Sequence, residues 1–389
     1  MERFNQDVLK RIKPVNRLLK LLVHEEFAKT PIKIDDIKEI LIIEVSLIGD
    51  EIMTIPFYSC LKANCPNARI TVVGRKWISL QLLAQGLIDR IIEFDALKCL
   101  SSPMDWIKNN RTIRSVLTEI NKLSYDVAFE PRGDIRYALF MHFTKSNRKV
   151  SFDLMNNAYM LTDAVKPDTD IVHEIPYRLS LLKKMGFDMI KSPTYPILRT
   201  TKDQDSYNEN YIKKYDLAGK NIIGIHPGAS LKDKQYKKFP EVISLIADKI
   251  DKGKDYILIF CGQSEEEMAA KVLFSARNKK LNAHIVNENL ENYIGLVSIC
   301  NYMICNDSGA GHLAAAYGIP VTVVFGPVLP EMYAPMGENA VFTVSHKLSC
   351  KPCRRRECPN GDNICLTKIE ANEVANVVEK MISTSERKR

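Results

Sequence analysis

Residues 302–325, YMICNDSGAGHLAAAYGIPVTVVF, decide the architecture. Tyr302 to Cys305 is a short apolar run of strand type, and the residues from Asn306 to Gly311 form a turn of small and polar groups. Leu313 to Ala316 is a strong helix former, and Val321 to Phe325 is a second β-branched run. Strand, tight loop, helix and strand in so short a span make a βαβ unit. Both runs are largely apolar, as suits strands covered on both faces of a parallel sheet.

The same alternation extends outward in both directions. Ile222 to His226 (IIGIH) and Tyr256 to Phe260 (YILIF) precede it, with helix-like stretches at Glu241 to Ile250 and Glu265 to Phe274. An earlier series comprises Glu39 to Val45 (EILIIEV), Ile70 to Val73 (ITVV) and Tyr125 to Phe129 (YDVAF). Between the two series, Thr194 to Lys220 is polar and proline-containing and reads as an interdomain link. The expected organisation is α/β: an N-terminal extension over 1–37, a Rossmann-like domain over 38–200 and a second over 201–389. The two doubly wound domains are expected to face a cleft. A chain of 389 residues suits two domains of ordinary size.

Composition removes several classes. With 46% hydrophobic and 26% charged residues the chain lies outside the disordered regime, and 17 Gly and 18 Pro without a short period exclude a fibrous repeat. No apolar run reaches the roughly 18 residues needed to span a bilayer. The 55 basic residues exceed the 47 acidic ones by 8, which favours phosphates or membrane surfaces without marking a nucleic-acid binder. The first 29 residues lack the apolar core and cleavage site of a signal peptide. Val8 to Val23 instead interleaves Lys10, Arg11, Lys13, Arg17 and Lys20 with leucines and isoleucine, interrupted by Pro14. Two readings stay open: a foot on an anionic membrane, or a helix packed on the body of the protein. Of ten cysteines, Cys60, Cys65, Cys99, Cys261, Cys300 and Cys305 read as reduced core thiols of a cytoplasmic protein, while Cys350, Cys353, Cys358 and Cys365 form a cluster.

Three strand ends carry residues with chemistry. Gly49 and Asp50 sit where the first strand turns into a helix, a place where open α/β sheets bind ligands; Asp50 is a candidate base or a plain helix cap. Asp307, Ser308, Gly309, Ala310 and His312 open a helix after a strand, an arrangement that favours a phosphate through its free N–H groups. His226 to Ser230 leaves another strand ahead of Lys237, Lys238, Phe239 and Pro240, and a lysine there can meet a phosphate as a point charge. Neither G-x-G-x-x-G nor a P-loop is present. Asp168-Thr169-Asp170 follows Lys166-Pro167 rather than a strand and reads as a surface turn instead of a metal-nucleotide motif.

Over residues 38–375 the chain resembles glycosyltransferase family 9, the bacterial heptosyltransferases. The resemblance rests on ILIIEVSLIGDEIMTIP, EPRGDIRYALF, HEIPYRLSLLKKMG, HPGAS with KKFP, and above all CNDSGAGHLAAAYGIPVTVVFGP. It implies a GT-B fold and inverting transfer of a sugar, typically heptose from ADP-heptose, to a hydroxyl of a lipid-linked lipopolysaccharide-core or related surface-glycan acceptor. The place of action implied is cytoplasmic, peripheral on the inner face of the cytoplasmic membrane. Carried over by position, Asp50 is the catalytic general base. Ser230, Lys237, Asp307, Ser308, Gly309, Ala310 and His312 bind the donor, and one of Glu265, Glu266 and Glu267 holds the ribose, with Glu266 the assigned residue.

Gly49, Arg132 and Arg136 fall on the acceptor side. Glu130-Pro131-Arg132 departs from the family's apolar approach to its glycine, which leaves Arg132 and Arg136 to face an anionic acceptor. Phe239 stands where the family prefers Trp. No cofactor is implied for catalysis. Cys350, Cys353, Cys358 and Cys365 allow a structural tetrahedral Zn or Fe site, local disulfides or free thiols, and relatives that heptosylate autotransporter proteins carry cysteine-bound iron. Two other functions stay open: the same fold acting with another nucleotide sugar or a protein acceptor, and a catalytically silent nucleotide-sugar-binding assembly partner.

Overall fold

The computed structural model describes residues 16–17, 19–262, 265–353, 358 and 362–386. They divide into two compact units, with the boundary between Thr194 and Tyr195.

The first unit is a six-stranded parallel sheet of β1 (Glu39–Glu44), β2 (Arg69–Gly74), β3 (Arg90–Glu93), β4 (Tyr125–Glu130), β5 (Ser146–Phe152) and β6 (Asp163–Val165). Its order is β3-β2-β1-β4-β5-β6. The second unit repeats this pattern with β7 (Asn221–His226), β8 (Asp255–Phe260), β9 (Ala283–Val286), β10 (Tyr302–Asn306), β11 (Val321–Val324) and β12 (Val341–Val344), ordered β12-β11-β10-β7-β8-β9. Each sheet therefore has one switch point, between β1 and β4 and between β7 and β10, where crossovers diverge and leave a crevice at the carboxyl ends. The Rossmann-like doubly wound reading holds for each unit.

The central strands form for the reason their sequence suggests. Ile40 to Ile43 are buried on both faces, and Ile223, Ile225 and Ile304 do the same in the second sheet. The strands toward the edge of the sheet were less legible. Strand β5 begins Ser146-Asn-Arg-Lys, and its Arg148 is satisfied by Asp163 of β6 with Nε to Oδ2 at 2.7 Å, a partner supplied only by sheet pairing.

Residues 202–214, inside the stretch expected as a link, form a helix of the second unit. Thr201 and Gln204 close a capping box, and Gln204 and Asn208 donate to the carbonyls of Glu291 and Gly295 at 2.8 and 3.0 Å. The polar residues are spent on helix packing, which hides the helix from a hydrophobicity pattern.

Of the N-terminal basic segment, residues 1–15 and 18 lie outside the described residues. Residues 16–17 and 19–22 are helical. Asn16 donates to the Met155 carbonyl at 2.9 Å, and Leu19 and Val23 pack against the core of the first unit. Among the described residues no helix is long and apolar enough to cross a membrane.

Candidate functional site

In the first unit, Asp50 lies at the switch point, in the first turn of the helix Ile48–Asn64. The N-cap is Leu47, so Asp50 is inside the helix and not its cap. This helix packs against the helix Glu174–Lys184, which brings Arg178 to it. Arg178 is fully buried, and its Nη2 lies 3.0 Å from Asp50 Oδ1, while its Nη1 donates to the Asp50 carbonyl and to Thr54 Oγ1. Thr54 donates to Glu44 Oε2 at 2.8 Å, and Ser46 donates to the other oxygen of Glu44. The Asp50 side chain keeps 23% of its surface exposed, so the carboxylate is braced from within and open to solvent.

The loop after β4 is built around Glu130. Its Oε2 accepts from Gly133 N at 2.6 Å, Asp134 N at 3.1 Å and Ser151 Oγ at 2.7 Å, and its Oε1 from Arg132 N at 3.2 Å. Gly133 has φ +83°, a left-handed turn suited to glycine. Burial pushes the Glu130 carboxyl up to about 7, against the pull of these donors.

Glu130 thus shapes the turn that presents Arg132. Burial works against the Arg132 charge, but the field of Asp50, Glu44, Tyr137 and Glu174 raises its pKa well above the ordinary value. Arg136 is differently placed: its Nε and Nη2 bond Asp134 at 2.9 and 2.6 Å. Its charge is held by the carboxylate of Asp134. Gly49 precedes Asp50 in the same helical turn.

In the second unit the corresponding strand ends are tied together by Asn306. This fully buried side chain donates to Pro227 O at 2.7 Å and Gly228 O at 3.1 Å, and accepts from Tyr236 N at 3.0 Å. Ser308 is the N-cap of the helix Gly309–Ala316, yet makes no side-chain cap bond. Its buried Oγ has no hydrogen-bond partner among the described residues. A helix start left uncapped by its own serine is set up to receive an anion. His312 is buried in the first turn beside it, together with Ala310.

Lys237 and Ser230 are exposed. The lysine that reaches the buried Asp307 is Lys234, with Nζ to Oδ2 at 2.6 Å. Lys234 was missed because its partner lies far along the chain. The glutamate at the strand ends is Glu265: its Oε2 accepts from Gly262 N at 2.8 Å and lies 3.6 Å from His226 Nε2. His226 Nδ1 meets the Tyr293 hydroxyl at 3.0 Å, and burial lowers the His226 pKa despite Glu265. Glu266, the assigned residue, is exposed one position further along. The sequence register was ambiguous by one residue, and the neighbouring Gln263 and Ser264 lie outside the described residues.

The metal reading of the cysteine cluster gains no support. Among the described residues no three or more His, Cys, Asp or Glu side chains come together as a metal site. Cys350 is exposed, Cys353 and Cys358 are half-buried, and Cys365 is buried with its thiol pKa raised chiefly by burial. None of the ten cysteines is joined in a disulfide. Cys365 lies in the helix Ile364–Thr367 and packs into the core of the second unit.

Residues 113–364 match the model of glycosyltransferase family 9 (heptosyltransferase). The chain belongs to glycosyltransferase family 9. It is therefore a transferase enzyme. A lipooligosaccharide heptosyltransferase 2 of Campylobacter jejuni is 21% identical over 341 residues, covering 87% of this chain and 96% of that protein. The family 9 glycosyltransferase structure from Veillonella parvula is similar with a TM-score of 0.75 at 19% identity, over 91% of this chain and 100% of the other. The E. coli ADP-heptose lps heptosyltransferase II structure gives 0.69 at 18% identity, over 90% and 99%. These likenesses establish the fold, and with it the GT-B class expected from the sequence.

Proposed function

We propose that this family 9 enzyme transfers heptose from ADP-heptose, with inversion, to a hydroxyl of a lipopolysaccharide-core or related surface-glycan acceptor. One observation carries the donor half of the reading: the helix Gly309–Ala316 begins with a serine whose buried hydroxyl caps nothing. A diphosphate would take the helix N–H groups and the Ser308 hydroxyl, with His312 beside it and Lys237 supplying a mobile charge from the exposed loop. Lys234 is committed to Asp307. Glu265, in place of Glu266, holds the ribose hydroxyls.

Asp50 takes the proton of the acceptor hydroxyl as that oxygen attacks the anomeric carbon. The bond to the β-phosphate breaks on the opposite face, and its electrons leave with ADP. Arg132, whose charge the field of Asp50 favours, meets an anionic group of the acceptor. Work at the inner membrane surface is supported by Leu21, Leu22 and Phe27, which are 79%, 73% and 59% exposed and lie near the exposed Arg17 and Lys20.

The test is Asp50→Asn. Turnover with ADP-heptose and a truncated core acceptor should fall about 10²–10⁴-fold while ADP binding, measured by calorimetry, is retained. Undiminished turnover would remove Asp50 from the mechanism.

A further inference from the structure

We infer that Arg178 is a positioning residue for Asp50: it fixes the carboxylate in the orientation from which it can receive the acceptor proton. The inference rests on Asp50 being the general base.

A carboxylate in the half-buried first turn of a helix has several rotamers open to it, and a base that must meet one proton gains from holding one of them. Arg178 holds Asp50 at two points. Nη2 meets Oδ1 at 3.0 Å, and Nη1 donates to the backbone carbonyl of the same residue. The planar guanidinium therefore sets the side-chain carboxylate relative to its own backbone, which a lysine could not do.

The brace is itself braced. Nη1 also donates to Thr54 Oγ1, whose hydroxyl donates to Glu44 at 2.8 Å, and Glu174 Oε2 lies 3.7 Å from Nη2, one turn before Arg178 on its helix. Arg178 is fully buried, and its Nε has no hydrogen-bond partner among the described residues. A buried cation with an unsatisfied donor is a costly way to join two helices, since apolar side chains of like volume would join them as well or better. Its place is explained by what its fork grips. In the sequence it lies in Glu174-Ile-Pro-Tyr-Arg178-Leu-Ser-Leu-Leu, a single cation in an apolar stretch.

The experiment compares Asp50→Asn, Arg178→Ala and the double variant of the full chain, with ADP-heptose and a truncated core acceptor. Arg178→Ala should lower kcat ~100-fold, as expected for a misplaced reacting group. The donor KM and the ADP affinity should stay within about twofold of the parent. Millimolar guanidinium should restore turnover saturably while urea at the same concentration does not, and the double variant should be no slower than Asp50→Asn. A merely structural arginine would show no rescue and a further loss in the double variant, which overturns the proposal.

Parent-like turnover of Arg178→Ala beside an inactive Asp50→Asn also overturns it and leaves the base assignment standing. An active Asp50→Asn overturns both. Should Arg178→Ala not fold, Arg178→Lys keeps the charge and loses the two-point grip: reduced kcat at an unshifted melting temperature supports the proposal, and parent-like kcat overturns it.

Discussion

Gly228 and Glu265 show how much a single position decides. A Cβ placed on Gly228 would lie 2.1 Å from the Glu265 carboxyl carbon, closer than any side chain tolerates. Gly228 is thus the space in which the proposed ribose-binding carboxylate sits, held from the other side by Gly262 N. Gly228→Ala should fold, because no left-handed backbone is required there, but should displace Glu265. We expect ADP affinity to fall ~10-fold, about 1.4 kcal/mol. Calorimetry showing parent affinity would separate Glu265 from the nucleotide. At this scale the sequence located Asp50, Ser308 and His312 because each follows a strand end with a recognisable motif. It missed Arg178, Lys234 and Asn306 because their partners lie far along the chain.

At the scale of elements, the helix Lys202–Lys214 and strand β9 meet through His284. Its ring stacks on Tyr215 with centroids 4.1 Å apart, and Nε2 lies 2.6 Å from the Tyr211 hydroxyl. Burial first, and then the nearby Lys214, lower the His284 pKa from 6.5 to about 4. A folded-state pKa below the unfolded one means that the unfolded chain binds the proton first. The stability tied to neutral His284 is therefore complete above pH 6.5 and is lost as the pH falls toward 4. His284→Phe keeps an aromatic ring for stacking and removes the titration. Thermal unfolding of this variant should show a shallower decline between pH 6.5 and 4 than the parent, and an identical decline would remove His284 from the acid response. Pairing of this kind was illegible beforehand, since β9 is four residues long and the helix lies in a stretch read as a link.

For the whole molecule, the N-terminal segment joins two readings that the sequence left open. Asn16, Leu19 and Val23 face the first unit, whereas Leu21, Leu22 and Phe27 face outward. A docked helix can also be a membrane foot. Burying a leucine contributes about 1.5–3 kcal/mol and each basic residue about 1 kcal/mol at an anionic surface. Replacing Leu21 and Leu22 with Glu should abolish co-sedimentation with vesicles of phosphatidylglycerol and phosphatidylethanolamine. Retained sedimentation would place the contact elsewhere.

The sequence by itself determined the repeated α/β pattern, the central strands, the family and the motif residues at three strand ends. These follow from local periodicity and from short contiguous motifs, which a linear reading contains in full. Only the tertiary structure decided that Arg178 grips Asp50, that Lys234 pairs with Asp307, and that Glu265 rather than Glu266 turns inward. Each depends on the packing of elements distant in the chain or on the direction of a side chain. Spacing constrains these outcomes without selecting among them.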